Sequence, residues 1–109
     1  MSTVPQWSFL TNHARVLLHV SLIPESTGLE IAHAVGITER ATRKIIADLN
    51  AAGYLEREKF GRRNRYHVDI QRPVDRIQDR YITVGRLLDL LWAPEPVAVA
   101  DATSQLSVR

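Results

Sequence analysis

A very short turn between two helical patterns constrains this sequence more than any other feature. Thr27 and Glu30 have the spacing of a capping box, which marks the start of a helix. Gly36 directly follows the apolar positions of that helix, where a helix end favours a left-handed residue. Thr38 then caps a further helix, which is predicted over residues 39–52. The spacing leaves a turn of about three residues, which is typical of two helices packed as a pair.

A helix precedes this pair and a β-hairpin follows it. Apolar residues recur at helical spacing over residues 12–22, after Thr11 as an N-cap. Two segments of alternating residues, 54–60 and 65–70, then predict antiparallel strands joined by a turn at 61–64. The sequence therefore predicts a mainly α fold with a small β-hairpin.

A heptad pattern after Pro73 predicts a terminal helix over residues 73–92. Its apolar positions are Ile77, Tyr81, Val84, Leu88 and Leu91. Such a helix is too hydrophobic to stand free, so we expect it to pair with a second copy, cover the first helix, or do both. A shorter helix over residues 84–92, capped by Thr83, is an alternative that the sequence leaves open. The tail 93–109 contains two prolines and has the composition of a flexible chain end.

Positive charge is concentrated in the middle third of the chain. The sequence has 109 residues and a net charge of +2, which fits a single domain. Residues 38–72 hold nine basic and five acidic residues, whereas the segments on either side are each net negative. Arginine supplies 12 of the 14 basic residues. Its planar fork suits phosphate and guanine edges, although codon usage in a GC-rich genome is an alternative explanation. We expect an anionic partner to dock on residues 38–72.

The helix predicted at 39–52 has an apolar face and a cationic face. Its apolar stripe consists of Thr42, Ile45, Ile46, Leu49 and Ala52. Arg40, Arg43 and Lys44 share the opposite face with Ala47 because they are spaced by three and four residues. A solvated polar face is the ordinary explanation for such a pattern. The neighbouring window 57–66 carries five basic residues and one acidic residue, and this favours a binding surface.

Several classes of protein are disfavoured by what the sequence lacks. It has no cysteine, so it has neither a disulfide framework nor a thiolate metal site. No apolar run approaches the length of a membrane span, and the first residues lack the pattern of a signal peptide, so a cytoplasmic location is expected. The four histidines show no i, i+4 pairing, and no nucleophile elbow or phosphate loop occurs. We therefore expect no catalytic residues, no metal site and no cofactor.

The stretch from Ile31 to Leu55 resembles the core of MarR- and ArsR-type transcriptional regulators. It reads I-A-H-A-V-G-I-T-E-R-A-T-R-K-I-I-A-D-L-N-A-A-G-Y-L. In those families an apolar-Ala-x-x-x-Gly-Ile-Ser/Thr segment leads into a recognition helix that ends Leu-x-x-x-Gly-Tyr/Leu-Leu. The resemblance covers residues 11–70, and the later G-R-R-N-R-Y is similar to the tip of the wing. It implies a winged helix-turn-helix fold and a double-stranded DNA-binding regulator, most simply a repressor.

The resemblance also implies which residues bind DNA. The helix 39–52 would enter the major groove, and the wing 57–66 would contact the minor groove or the backbone. The two helix N-termini at Thr27 and Thr38 would take phosphate. The residues implied in DNA binding are Thr27, Thr38, Arg40, Arg43, Lys44, Arg57, Lys59, Arg62, Arg63 and Arg65.

A single copy of such a domain contacts too few base pairs to specify a genomic site. We therefore expect a homodimer on two half-sites, with residues 1–72 binding DNA and the heptad positions of 73–92 forming the dimer interface. Intramolecular packing of those positions is the alternative for the terminal helix. A winged-helix module that contacts proteins without specific DNA binding is the alternative for the function. The sequence leaves open whether a small-molecule effector exists.

Overall fold

The described part of the chain, residues 7–92 of a computed structural model, forms four helices and two antiparallel hairpins. The helices are α1 (Asn12–Leu22), α2 (Gly28–Val35), α3 (Glu39–Ala51) and α4 (Val84–Trp92). The strands are β1 (Leu55–Phe60), β2 (Arg63–Val68), β3 (Pro73–Ile77) and β4 (Arg80–Thr83). Strand β1 pairs with β2 and β3 pairs with β4, in two separate two-stranded sheets. The predicted tail 93–109 lies outside the described residues.

A threonine caps the start of each of the first three helices, as the sequence predicts. Thr11 Oγ1 accepts a hydrogen bond from Ala14 N at 3.1 Å, and Thr38 Oγ1 accepts from Ala41 N at 3.0 Å. At α2 the capping box is complete. Thr27 Oγ1 accepts from Glu30 N at 3.1 Å, and Thr27 N donates to Glu30 Oε1 at 2.8 Å. These bonds satisfy amide groups that have no partner inside a helix, so they fix where each helix begins.

The turn between α2 and α3 depends on the backbone of Gly36. Its φ is 83°, in the left-handed region, and its N–H donates to Ala32 O at 2.8 Å. Ile37 N donates to the same carbonyl at 3.0 Å. A Cβ at position 36 would meet no atom within 4 Å, so glycine is favoured there by the backbone angle and not by crowding. The turn directs α3 away from α2 while both helices keep their apolar faces on one core.

The core lies between α1, α2, α3, the base of the first hairpin and the buried face of α4. Val16, Val20, Ile31 and Leu55 are almost fully buried there. The polar side chain of Thr42 is also buried, and its hydroxyl donates to Thr38 O at 3.0 Å, so it carries no unpaired group. The remaining core residues are Leu17, Leu18, Val35, Ile45, Ile46, Leu49, Tyr66, Val84 and Leu88. The helical apolar stripes predicted from sequence therefore meet in one cluster.

The first hairpin turns on two residues, Gly61 and Arg62. Phe60 pairs with Arg63 in the strand register, and Gly61 has a φ of 65°. The predicted turn at 61–64 is therefore too long. A glycine with positive φ at the first of two turn positions matches the right-handed twist of the strands, so pairing continues up to the glycine. The hairpin is held to the α1–α2 connection by a hydrogen bond from Tyr66 N to Pro24 O at 2.9 Å.

The prediction of one helix over 73–92 is wrong in its first half. Residues 73–83 form the second hairpin, and α4 begins at Val84. The segment is rich in β-branched and aromatic residues, which favour an extended backbone. Gln78 takes a left-handed φ of 57° beside Asp79 to reverse the chain. The shorter helix that the sequence left open is confirmed, and Thr83 Oγ1 accepts from Arg86 N at 3.3 Å at its start.

The five heptad positions do not share one helical face. Ile77 lies on β3 and Tyr81 on β4, and both are exposed. Val84 is 0% exposed and Leu88 is 8% exposed, because both pack into the core of their own chain. Leu91 is exposed on α4, next to Leu90 at 79% exposure. The interface predicted from the heptad pattern is therefore wrong for the two buried residues, which have no free surface to offer a second copy.

None of the helices within residues 7–92 has both the length and the apolar character needed to cross a bilayer.

Candidate functional site

A groove of about 570 Å³ separates α3 from the first hairpin. Its walls include Arg43, Ala47 and Asn50 from α3 and Arg57, Asn64 and Tyr66 from the hairpin. Arg57 and Tyr66 are paired across the hairpin, and so are Lys59 and Asn64. Directly paired residues project from the same side of a sheet, so Lys59 belongs to the side that faces α3. The groove is therefore bounded on both sides by polar and cationic side chains.

Five exposed cations lie on α3 and the first hairpin, the two elements that bound this groove, and have no ion-pair partner among residues 7–92; Arg43 and Arg57 line the groove itself. They are Arg40 and Arg43 on α3, Arg57 and Lys59 on β1, and Arg62 at the hairpin turn. Glu39, at the first turn of α3, is the one carboxylate that lines the groove in the described chain. The cations are free to create a positive potential that extends into solvent and attracts an anionic partner.

Lys44 differs from these five because it already has a carboxylate partner. Its Nζ lies 2.8 Å from Asp48 Oδ1, one helical turn away on α3. Asp48 Oδ2 lies 2.8 Å from His13 Nε2 on α1. The hydrogen bond from Lys44, followed by that from His13, lowers the pKa of the Asp48 carboxyl. Pairs of this kind at the surface contribute little to stability, so Lys44 can exchange its partner for an external anion.

Arg63 and Arg65 also have partners within the chain. They lie on β2 with their side chains alternating with those of Asn64 and Tyr66, on the side of the hairpin away from the groove. Arg63 Nη2 donates to Glu30 Oε1 at 2.8 Å, and its Nε donates to Glu25 O at 3.0 Å. Arg65 pairs with the Glu25 carboxylate. The structure thus directs two of the predicted DNA-binding cations toward the start of α2.

The two predicted helix N-termini are occupied by their own caps. At α2, Glu30 accepts the Thr27 N–H that would otherwise be free to bind phosphate. This backbone hydrogen bond is the largest cause that lowers the pKa of Glu30, and the charge of Arg63 acts in the same direction. At α3, Thr38 is exposed and its hydroxyl is engaged with Ala41 N. Neither arrangement tests phosphate binding, and both roles stay predictions.

Asn50, Asn64 and Tyr66 line the groove but are missing from the sequence-predicted site. The alternation of β2 places Asn64 and Tyr66 on one side, and this signal could have identified them. Asn50 lies two turns after Arg43 on α3, so helical spacing could have identified it as well. Each amide side chain carries a donor and an acceptor beside the cations.

No protein-family model matches this chain, and no curated protein matches it.

Within residues 7–92 no three metal-ligating side chains lie close enough together to hold an ion.

Proposed function

We propose that this protein is a sequence-specific, double-stranded DNA-binding transcriptional regulator of winged helix-turn-helix type. The observation that carries the proposal is the groove between α3 and the first hairpin, with Arg43 on one wall and Arg57 on the other. A repressor that occludes a promoter is the simplest mode of action. The cytoplasmic location expected from sequence belongs to the same proposal.

In this proposal α3 is the recognition helix. The major groove of B-DNA admits one α-helix, and arginine is the residue that most often reads guanine there. Arg40 and Lys44 lie on the exposed ridge of α3 together with Ala47 and Ala51. The two alanines have short side chains, so the second half of the ridge allows close approach to base edges. Arg43 lies beside this ridge, on the side that faces the hairpin.

The first hairpin is the wing in this proposal. When α3 lies in the major groove, one sugar–phosphate backbone must pass through the space between α3 and the wing. Arg57 and Asn64 line that space and offer donors to phosphate oxygens. Arg62 lies at the turn, where its side chain can reach the adjacent minor groove.

A homodimer completes the proposal. One copy contacts too few base pairs to specify a unique genomic site, whereas a dimer reads two half-sites about 34–36 Å apart. The surface available for it overlaps in part with the one predicted from sequence, because Val84 and Leu88 are buried whereas Ile77, Tyr81 and Leu91 are exposed. Ile77 and Tyr81 on the second hairpin and Leu90 and Leu91 on α4 remain exposed in the single chain. Interface cores are more apolar than the rest of the surface and are enriched in aromatic residues such as tyrosine.

A binding experiment with a matched control tests the proposal. The protein is titrated against duplexes selected from a random library and against fragments flanking its own gene, at several salt concentrations. Several phosphate contacts would make log affinity fall steeply with log salt. Arg43→Ala and Arg57→Ala should weaken binding, whereas Arg80→Ala, which removes an exposed arginine from the second hairpin, should leave it unchanged.

Two results would contradict the proposal. Absence of binding at low salt to both kinds of duplex would favour the alternative of a protein-interaction module. An equal loss on removing Arg80 and Arg57 would show that only overall charge matters, and the groove would then have no specific role.

A further inference from the structure

We infer that Arg63 and Arg65 do not contact DNA but hold the wing at a fixed angle to α2, and that Glu25 and Glu30 are the groups that position them. The inference rests on the proposed function, because it divides the wing cations into those that bind DNA and those that orient the wing. It identifies Glu25 and Glu30 as positioning residues, although neither carries the charge expected of a DNA-binding residue.

The fork of Arg63 bridges two acceptors on different parts of the chain. Its Nη2 reaches the Glu30 carboxylate on α2 at 2.8 Å, and its Nε reaches the Glu25 carbonyl in the α1–α2 connection at 3.0 Å. Glu30 Oε1 also accepts the Thr27 N–H at 2.8 Å, so one oxygen joins Arg63 to the cap of α2. A planar guanidinium with several fixed donors can make such a bridge, whereas an ammonium on a flexible stem cannot reproduce its geometry.

Arg65 repeats the arrangement two residues along β2. Its guanidinium pairs with the Glu25 carboxylate and lies over the Phe60 ring, 4.5 Å from the ring centroid. Directly after Arg65, Tyr66 N donates to Pro24 O at 2.9 Å. Strand β2 is therefore fixed to the α1–α2 connection by its backbone and by two side chains, and this sets the angle of the wing.

The charges of this cluster cancel. Two arginines face two glutamates, so the cluster adds no net positive charge to the protein surface. Arg62, one residue before Arg63, has no carboxylate partner among residues 7–92 and projects from the turn. Adjacent arginines thus have different surroundings, and only Arg62 is available to neutralise a phosphate without losing a bond inside the protein.

Salt dependence distinguishes the two roles. A cation that neutralises one phosphate contributes about 0.9 to the slope of log affinity against log salt. We expect Arg62→Gln to reduce that slope by about one unit, and Arg63→Gln to lower affinity at every salt concentration with the slope unchanged. Arg63→Lys gives a second distinction. Lysine preserves a phosphate contact but not the bridge, so this variant should behave like Arg63→Gln.

The energetic coupling between Glu30 and Arg63 can also be measured without DNA. In a double-mutant cycle, Glu30→Gln and Arg63→Gln should shift the urea midpoint of unfolding by less together than the sum of their separate shifts. Glu30→Gln combined with Arg62→Gln is the matched control and should give additive shifts.

A reduced slope in Arg63→Gln that Arg63→Lys restores would overturn the inference. Additive shifts for Glu30 and Arg63 would overturn it as well, whether or not DNA is bound. Coupling between Glu30 and Arg63 in a protein that binds no DNA would refute the proposed function and leave the bridge as a structural brace.

Discussion

Arg57 and Tyr66 are direct partners across the first hairpin, yet one is exposed and the other is buried. Both project toward α3 and both line the groove. Tyr66 reaches into the core with only 5% of its surface exposed, whereas Arg57 extends into solvent. The position of a candidate DNA-binding cation is therefore set by the burial of the residue opposite it.

This relationship predicts opposite effects for two substitutions in the same pair. Tyr66→Ala should destabilise the fold by about 3 kcal/mol or more, as expected for removal of a buried aromatic ring. Arg57→Ala should leave the free energy of unfolding within about 0.5 kcal/mol of that of the parent protein. It should nevertheless reduce the salt slope of DNA binding by about one unit. Urea unfolding and fluorescence anisotropy with labelled duplex measure the two effects. A large loss of stability in Arg57→Ala would show that Arg57 supports the fold.

A second prediction compares Gly36, in the turn before α3, with Gly28 at the start of α2. Gly36→Ala should destabilise the protein by about 1–2 kcal/mol, because an L side chain is strained at a φ of 83°. Gly28→Ala is the control, since Gly28 has equal space and an ordinary backbone angle at the start of α2. It should be neutral or stabilising by up to about 1 kcal/mol. Equal effects of the two substitutions in chemical denaturation would argue against the left-handed turn.

On α4, substitution of a buried residue should affect folding, whereas substitution of an exposed residue should affect association. Leu88→Asp should unfold the protein, because it places a charge in the core without a partner. Leu90→Asp should leave the helical circular dichroism signal intact, since Leu90 is 79% exposed. If the outer face of α4 belongs to the proposed dimer interface, the second variant should sediment as a monomer. A folded Leu88→Asp variant would contradict the packing of α4, and an intact Leu90→Asp dimer would place the interface elsewhere.

The dependence of stability on acid pH should reveal how much Asp48 contributes to the stability of the folded protein. Its pKa in the folded protein lies below the ordinary value of 3.8, because Lys44 and His13 hydrogen-bond its charged form. The stability it adds is therefore present above pH 3.8 and is lost as the pH falls through the lowered folded pKa. Asp48→Asn should have a lower urea midpoint than the parent at pH 7, and the difference should shrink below pH 3.8. Asp79→Asn, at an almost fully exposed carboxylate, is the control. A difference that grows with acidity would contradict the assignment.

Local signals in the sequence were sufficient for the first three helices. Their caps need only residues three apart, and Gly36 needs only its own backbone angle, so each can be recognised without tertiary structure. The predicted end of α3 differs from the structure by one residue. The winged helix-turn-helix resemblance and the DNA-binding roles remain predictions.

The second hairpin could not be recognised in the same way. Ile77, Tyr81 and Val84 have heptad spacing by position, but two heptads are too few to exclude strands. Its turn uses Gln78 in a left-handed conformation, and glutamine gives no turn signal of the kind that glycine or asparagine gives.

The cations of the site were predictable, but their partners were not. Arg63 and Glu30 are 33 residues apart in sequence and meet only because β2 packs beside the start of α2. A sequence pattern records that Arg62 and Arg63 are both basic. It does not record that one of them is already neutralised inside the protein.

Backbone hydrogen bonds at the start of α4 connect this helix to the segment that directly follows the first hairpin. Gly85 N donates to Ile70 O at 2.8 Å, and Val84 N donates to Arg72 O at 2.9 Å. These bonds close the loop formed by the second hairpin and attach α4 just beyond the end of β2. A Cβ on Gly85 would lie 3.0 Å from Ile70 O, so the two segments have almost no space to slide. Any tilt imposed on α4 must therefore displace the segment that follows β2 or break these bonds, and it also disturbs the packing of Val84 and Leu88 in the core.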